Sequence, residues 1–356
     1  MTCIKSSVDN LPVYSVPQDH SVIKLNQNES PYDIPSALKS VILERLNGKM
    51  WNRYPYARSN ALIKELADYT GHETDGIVIG NGSNEIIQGV FSASCSAGDR
   101  SVMVVPGFAV YPRVAAVLGV KAFEVPLLPS FDFDVAALIA AAQDAQLVII
   151  ASPNVPTGIT MSHETIEKIA THTRGMFVVD EAYFEFSGSS VLDLLQKFDS
   201  MVIIRTLSKA CCLAGARIGY ALTSPLLAQG IEKAKLPFSV GVFQQVAGEI
   251  ILRDRVFIKN VTQQVIEARD RVFNELNSIP GVTPIPSQAN FILMRIEYKN
   301  AHDVANALYK MGVLVRHFNT PELCDTLRVT IGTSEENHQF IEALRAIMGQ
   351  EERRAT

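Results

Sequence analysis

Two apolar runs in this chain end in polar residues whose types suit amine–carbonyl chemistry. Met176-Phe-Val-Val-Asp-Glu-Ala-Tyr183 delivers Asp180 and Tyr183, and Arg205-Thr-Leu-Ser-Lys209 delivers Ser208 and Lys209. A β-branched apolar run that stops abruptly at polar residues is the mark of a buried parallel strand. In open α/β sheets ligands collect outside the carboxyl ends of such strands. A lysine and an aspartate brought to that edge suit pyridoxal phosphate, with Lys209 as the Schiff-base amine and Asp180 facing the pyridine nitrogen. Lys209 must then be an unprotonated amine, a state favoured by desolvation and nearby cations. Asp180 does the opposite for the ring nitrogen and keeps it protonated. Tyr183 can donate to the ring's phenolic oxygen. Arg217, in Leu213-Ala-Gly-Ala-Arg217-Ile-Gly-Tyr220, can return a guanidinium fork to the cofactor phosphate.

Two further segments fit the same chemistry. Gly80-Asn-Gly82-Ser83-Asn84-Glu85 follows an apolar run and opens a helical pattern, so the amides of Ser83 and Asn84 can cradle a phosphate at a helix N-terminus. A dinucleotide fingerprint needs a third glycine where Glu85 stands, which argues against that reading. With Ser208 and Arg217 as further phosphate ligands, the cradle outweighs a simple turn. Phe108, in Pro106-Gly-Phe-Ala-Val-Tyr111, lies just past another strand pattern and can stack on a pyridine ring.

The elements that must position these residues alternate. Ile77–Ile79, Ser101–Val105, Leu147–Ala151, Met176–Val179, Met201–Arg205 and Ile218–Leu222 read as strands. Ser59–Tyr69, Asn84–Ser94 and Ser162–Thr173 read as helices between them. Such alternation predicts an α/β fold, with a mostly parallel central sheet covered by helices on both faces. A long helical region is expected from about Val242 to Leu276, broken by few residues hostile to helix. Beyond it, Phe291–Ile296, Ala301–Met311, Val313–Val315, Leu327–Ile331 and a terminal helix from Ser334 form an α+β set. Together with the N-terminal segment, helical over Ser36–Leu46, this set is expected to make a small domain from both chain ends. The predicted division is 49–255 for the large domain, with 1–48 and 256–356 for the small one.

Composition narrows the function classes. The 356 residues suffice for about two domains, at roughly 150 residues each. A net charge of −5 with no basic stripe argues against nucleic acid as a partner. No apolar run approaches a membrane span, and Met1-Thr-Cys-Ile-Lys-Ser-Ser7 has no secretory apolar region, so the cytoplasm is the expected compartment. Cys3, Cys95, Cys211, Cys212 and Cys324 show no zinc spacing, and the histidines form no HExxH, so no metal is expected. Cys211 and Cys212 read as small thiols packing the turn after Lys209.

The Asp-Glu-Ala-Tyr and Thr-Leu-Ser-Lys motifs resemble fold type I pyridoxal-phosphate enzymes of the aspartate aminotransferase superfamily. The chain is most similar within it to histidinol-phosphate aminotransferases. The resemblance runs from Leu25-Asn-Gln-Asn28-Glu-Ser-Pro-Tyr32 through Arg53-Tyr54-Pro55 and Asn81-Gly-Ser-Asn-Glu85 to Leu327-Arg328-Val-Thr-Ile-Gly332. It implies transfer of an amino group from a small-molecule donor to a 2-oxo acid such as 2-oxoglutarate. Aromatic amino-acid aminotransferases and threonine-phosphate decarboxylases are the alternatives among the relatives. It also implies a homodimer with shared active sites, in which Tyr54 reaches the neighbouring subunit's cofactor phosphate. Arg328 is implied to bind a substrate carboxylate or phosphate, with Arg316, Tyr14 and Asn28 also at the substrate. One departure stands out. The family reads Asn-Asn-Pro-Thr-Gly, whose second Asn donates to the cofactor's phenolic oxygen. This chain has Asn154-Val155-Pro-Thr-Gly158, which matches only the first Asn. Ser30 and Asp33 also stand where Asn and Gly are commoner, in a loop near the substrate of relatives.

Overall fold

A computed structural model describes residues 3–349. Thirteen strands fall into three sheets. In chain order they are β1 (Ile23–Lys24), β2 (Ile77–Asn81), β3 (Arg100–Val105), β4 (Lys121–Pro126), β5 (Leu147–Ala151), β6 (Met176–Asp180) and β7 (Met201–Thr206). Then follow β8 (Ile218–Thr223), β9 (Val282–Pro284), β10 (Phe291–Ile296), β11 (Val313–Leu314), β12 (Arg316–His317) and β13 (Thr326–Thr330). The large sheet has the order β2-β8-β7-β6-β5-β3-β4. Only β8 runs against its neighbours, pairing antiparallel with both β2 and β7.

Side-chain alternation sends successive residues to opposite faces of a strand. Ile77, Ile79, Val148, Ile150, Phe177, Val179 and Ile203 accordingly join one buried cluster. Val78, Leu147, Ile149, Val178, Val202 and Ile204 join another. Both faces are covered, which is why these strands read as unbroken apolar runs rather than alternating ones. Edge strand β4 is different. Only Val125 of its six residues is buried, and Phe123 lies exposed under the Arg100 guanidinium, 3.9 Å from its ring centre. With no apolar run, β4 gives no strand signal in the sequence.

The N-terminal segment pairs with the C-terminal part of the chain. β1 pairs in parallel with β11, while β12, β13, β10 and β9 form an antiparallel sheet in that order. The long helical region expected from about Val242 to Leu276 is two helices, Val242–Arg253 and Arg255–Asn277. Asp254 breaks it by adopting a non-helical backbone and accepting the Phe257 amide on its side chain, the usual habit of an N-capping aspartate. The expected strand Val313–Val315 is β11, one residue shorter, and β12 follows it at Arg316 to join the four-stranded sheet.

Candidate active site

Parallel pairing gathers the carboxyl ends of β2, β3, β5, β6 and β7 along one edge of the large sheet. Because β8 runs the other way, its amino end lies at that same edge, and Arg217 immediately precedes it. Topology alone thus places Gly82–Asn84, Phe108, Asn154, Asp180, Tyr183, Ser208, Lys209 and Arg217 along one rim.

Asp180 is 4% exposed. Its Oδ2 accepts from the Tyr111 hydroxyl at 2.7 Å and its Oδ1 from the Ala182 amide at 3.1 Å. Burial outweighs these donors and raises its carboxyl from 3.8 to about 6. The next residue, Glu181, points the other way. Arg205 Nε and Nη2 lie 2.9 and 2.8 Å from Glu181 Oε2, Ser190 donates to the same oxygen, and the Val191 amide donates to Oε1. This buried pair ties the ends of β6 and β7 together, and so fixes Asp180 relative to the Ser208–Lys209 turn. Neither Tyr111 nor the Glu181–Arg205 pair emerged from the sequence reading. The pair left a signal there, since opposite charges inside apolar strands must find partners.

Lys209 Nζ lies 5.8 Å from the centre of the Tyr183 ring and donates to the Gln27 carbonyl at 3.3 Å. Burial, then the Arg328 charge, lower its amine from 10.5 to about 7, with a smaller push from Arg217. Tyr183 is buried and accepts from Asn28 Nδ2 at 2.9 Å.

The phosphate side is built on close approach. Arg217 has φ 55° and its carbonyl accepts the Gly82 amide at 2.9 Å. A Cβ on Gly82, itself at φ 73°, would meet Arg217 Nη2 at 2.4 Å, and one on Gly219 would meet the Ser83 nitrogen at 2.2 Å. A side chain at Gly82 would therefore push the guanidinium from the helix N-terminus, and one at Gly219 would push β8 from it. Arg217 Nη1 lies 3.4 Å from Ser208 Oγ. Helix Gly82–Ser94 starts with no side-chain cap from Asn81, so the amides of Ser83 and Asn84 face this basin as free donors. Phe108 packs edge-on against Tyr111, ring centres 5.4 Å apart, at the Asp180 end of the rim.

Asn154 is buried, but its amide nitrogen donates to the Pro106 carbonyl and to Thr157 Oγ1, each at 3.1 Å. Both of its hydrogens are used within the loop. Val155 packs against the core. Neither residue offers a side-chain donor to the basin.

Arg328, on β13, is buried beside its strand partner Arg316. Its Nη2 donates to the Asn26 carbonyl at 2.8 Å, whereas its buried Nε has no hydrogen-bond partner. Burial first, with Arg316 contributing, lowers this guanidinium to about 10. Tyr14 is exposed, yet its phenol bears on both Tyr183 and Arg328. A cavity of about 380 Å³ opens alongside, lined among others by Lys24, Glu29, Ser30, Tyr32, Cys212 and Thr330. Tyr54 is the one candidate that a single chain does not bring to the set. It is 84% exposed, and its ring meets Phe238 at 5.0 Å.

These residues fit a phosphorylated pyridine aldehyde on structural grounds. The Gly82 and Gly219 backbones leave a cradle that any side chain would fill. Arg328 Nε is buried without a hydrogen-bond partner, and the same rim carries a buried carboxylate and an amine lowered to about 7, the group types such a ring calls for.

Comparison with known proteins agrees. Residues 20–344 match the family model for aminotransferase class I and II. The chain is 37% identical over 354 residues to a histidinol-phosphate aminotransferase of Chlorobium phaeovibrioides, covering 98% of each. Among solved structures it is similar to the histidinol-phosphate aminotransferase of Clostridium acetobutylicum, with TM-score 0.86 and 26% identity over 92% of this chain and 100% of that one. It is also similar in fold to the Sinorhizobium meliloti enzyme in complex with pyridoxal-5'-phosphate, with TM-score 0.89 and 24% identity over 98% of each chain.

Proposed function

The chain belongs to the class I and II aminotransferases, and from that premise we propose that it moves the amino group of histidinol phosphate to 2-oxoglutarate with pyridoxal phosphate as cofactor. The observation that carries this reading is that Lys209 Nζ and Arg328 Nη2 donate to the adjacent Gln27 and Asn26 carbonyls, at 3.3 and 2.8 Å, which brings the two cations to one segment. An oxyanion binder and a neutral-range amine therefore serve one chamber. Bound pyridoxal phosphate supplies the electron sink that lets the amino-bearing carbon of the donor lose a proton.

The chain's own residues do the rest. Lys209 Nζ would hold the cofactor through its aldehyde carbon and, when the donor takes its place, would carry the proton from the donor's amino-bearing carbon to that aldehyde carbon. Asp180 holds the proton on the ring nitrogen. Tyr183 donates to the phenolic oxygen, and Phe108 covers one ring face. Gly82, Ser83, Asn84, Ser208 and Arg217 hold the phosphate. Arg328, with Arg316, Asn28 and Tyr14 nearby, takes the donor's phosphate in one half-reaction and the acceptor's carboxylate in the other. Purified enzyme should form 2-oxoglutarate-dependent product from histidinol phosphate faster than from aromatic amino acids. Release of carbon dioxide in place of amino transfer, or preference for an aromatic donor, would overturn the assignment.

Arg328→Ala is expected to raise KM for both histidinol phosphate and 2-oxoglutarate by about 10- to 100-fold, the value of a charge-assisted hydrogen bond. Steady-state kinetics with each substrate varied checks this, and an effect on one substrate alone would show that a second cation serves the other. Arg217→Lys keeps the charge but loses the planar fork. Its cofactor dissociation constant should rise by about tenfold or more, measured by fluorescence titration of the cofactor-free protein, with less change in kcat at saturating cofactor.

The surface supports a proposal for the assembly. Met50, Trp51, Tyr54 and Tyr56 are all exposed, and ring contacts link Trp51 to Phe243 and Tyr54 to Phe238. So large an aromatic patch calls for a partner. The proposed partner is a second copy of the chain, with Tyr54 reaching the phosphate across the interface. The proposed working division is a cofactor-holding unit over 49–255, with the two chain ends forming the substrate side. No helix among the described residues is long and apolar enough to cross a membrane, and the cytoplasm is the proposed compartment.

A further inference from the structure

Thr330 touches none of the candidate cofactor residues, yet it controls how one of them is presented. This β13 residue is buried and pairs with Phe291 across the small sheet. Its Oγ1 accepts the Asn28 amide at 2.9 Å and donates to Asn28 Oδ1 at 3.3 Å. Asn28 sits at φ 56°, and its carbonyl is held by Asn290 Nδ2 at 3.1 Å. With Oδ1 committed to the Thr330 hydroxyl, the amide must turn Nδ2 towards Tyr183, and that donor lies 2.9 Å from the Tyr183 oxygen.

The direction of this bond matters. A phenol that accepts from Asn28 keeps its own hydrogen free. If the Asn28 amide turned over, Oδ1 would face Tyr183 and capture that hydrogen. Val155 raises the stakes, because Asn154 spends both its hydrogens on Pro106 and Thr157 and Tyr183 is left as the donor for the cofactor's phenolic oxygen. We propose that Thr330 is a positioning residue: its hydroxyl fixes the Asn28 amide so that the Tyr183 proton is reserved for the cofactor. This rests on the functional reading above.

The loaded protein's visible absorption titrates with the proton shared by the cofactor's phenolic oxygen. A donor on that oxygen lowers the midpoint, and loss of the donor raises it. Thr330→Val, which keeps shape and removes the hydroxyl, should raise the midpoint by about one pH unit, the scale of one hydrogen bond. Thr330→Ser should restore the native value. The decisive comparison is with Tyr183→Phe: adding Thr330→Val to it should move the midpoint no further, since both changes remove the same donor. Where Thr330→Val protein does not fold, Asn28→Asp gives the same reading. Its carboxylate can only accept, so it takes the Tyr183 hydrogen and the midpoint rises. An unchanged midpoint in Thr330→Val or Asn28→Asp, or a Thr330→Val shift that persists in the Tyr183→Phe background, overturns the proposal. Native protein that takes up pyridoxal phosphate without a pH-dependent visible band overturns the functional reading instead.

Discussion

Lys209→Ala is expected to reduce transamination by about 10⁴-fold or more, the upper range for a positioned general acid–base, and to abolish the visible band of the loaded protein. The expectation rests on two things that no other lysine near the rim combines. Lys209 follows the carboxyl end of β7, next to Ser208 and within 5.8 Å of the Tyr183 ring. Burial and the Arg328 and Arg217 charges also lower its amine from 10.5 to about 7. Below about pH 7 the amine is protonated and cannot attack an aldehyde; above it, the free base is present. Uptake of pyridoxal phosphate by the cofactor-free protein should accordingly accelerate as pH rises through about 7 and then level off. Stopped-flow absorbance at a series of pH values checks this. A midpoint near 10 would show that the amine is not depressed, and borohydride labelling of another lysine would remove Lys209 from the role. Lys209→Arg should not rescue turnover, because a guanidinium stays protonated throughout.

Much of this site is legible in the sequence because its residues follow buried strands. The runs ending at Asp180 and Lys209 are apolar on both faces, so their boundaries are sharp and the polar residues after them stand out. Arg217 was legible from its place in the segment shortly after Lys209; what brings it to the same edge is the reversed direction of β8, which it immediately precedes. What the sequence hides is determined by pairing across the fold. Tyr111 lies on a short helix and looks like any core aromatic until Asp180 is placed opposite it. Thr330 and Asn28 are far apart in the chain and meet only when the two ends join. The break at Asp254 was missed because one capping residue inside a helical pattern carries little weight against its neighbours. Strand β4 was missed because an exposed edge strand has no apolar run to show.

Asp180→Asn is expected to lower kcat by about 10²–10³-fold, the cost of losing one preorganised electrostatic partner, while making the cofactor-free protein more stable. The two effects have one cause. A carboxylate that is 4% exposed loses most of its hydration, and the Tyr111 and Ala182 donors return only part of it. Its carboxyl therefore titrates at about 6 in the folded protein, against 3.8 for the ordinary group. Between those values the folded state binds the proton that the unfolded state has released, so stability falls as pH rises through this window. Above pH 6 the full penalty is present. At about 1.4 kcal/mol per pK unit it amounts to about 3 kcal/mol. Asparagine removes the charge and the penalty with it. The variant's gain in stability should be greatest above pH 6 and fade towards pH 4, where the native aspartate is protonated in the fold. Thermal melts of cofactor-free native and Asp180→Asn protein at several pH values check the sign. If Asp180 holds the proton on the ring nitrogen of bound pyridoxal phosphate, as proposed, that cation would offset the same penalty, and the native protein should gain more stability from the cofactor than the variant does. A variant that is less stable at every pH would mean that its hydrogen bonds to Tyr111 and Ala182, and not its charge, dominate at this position.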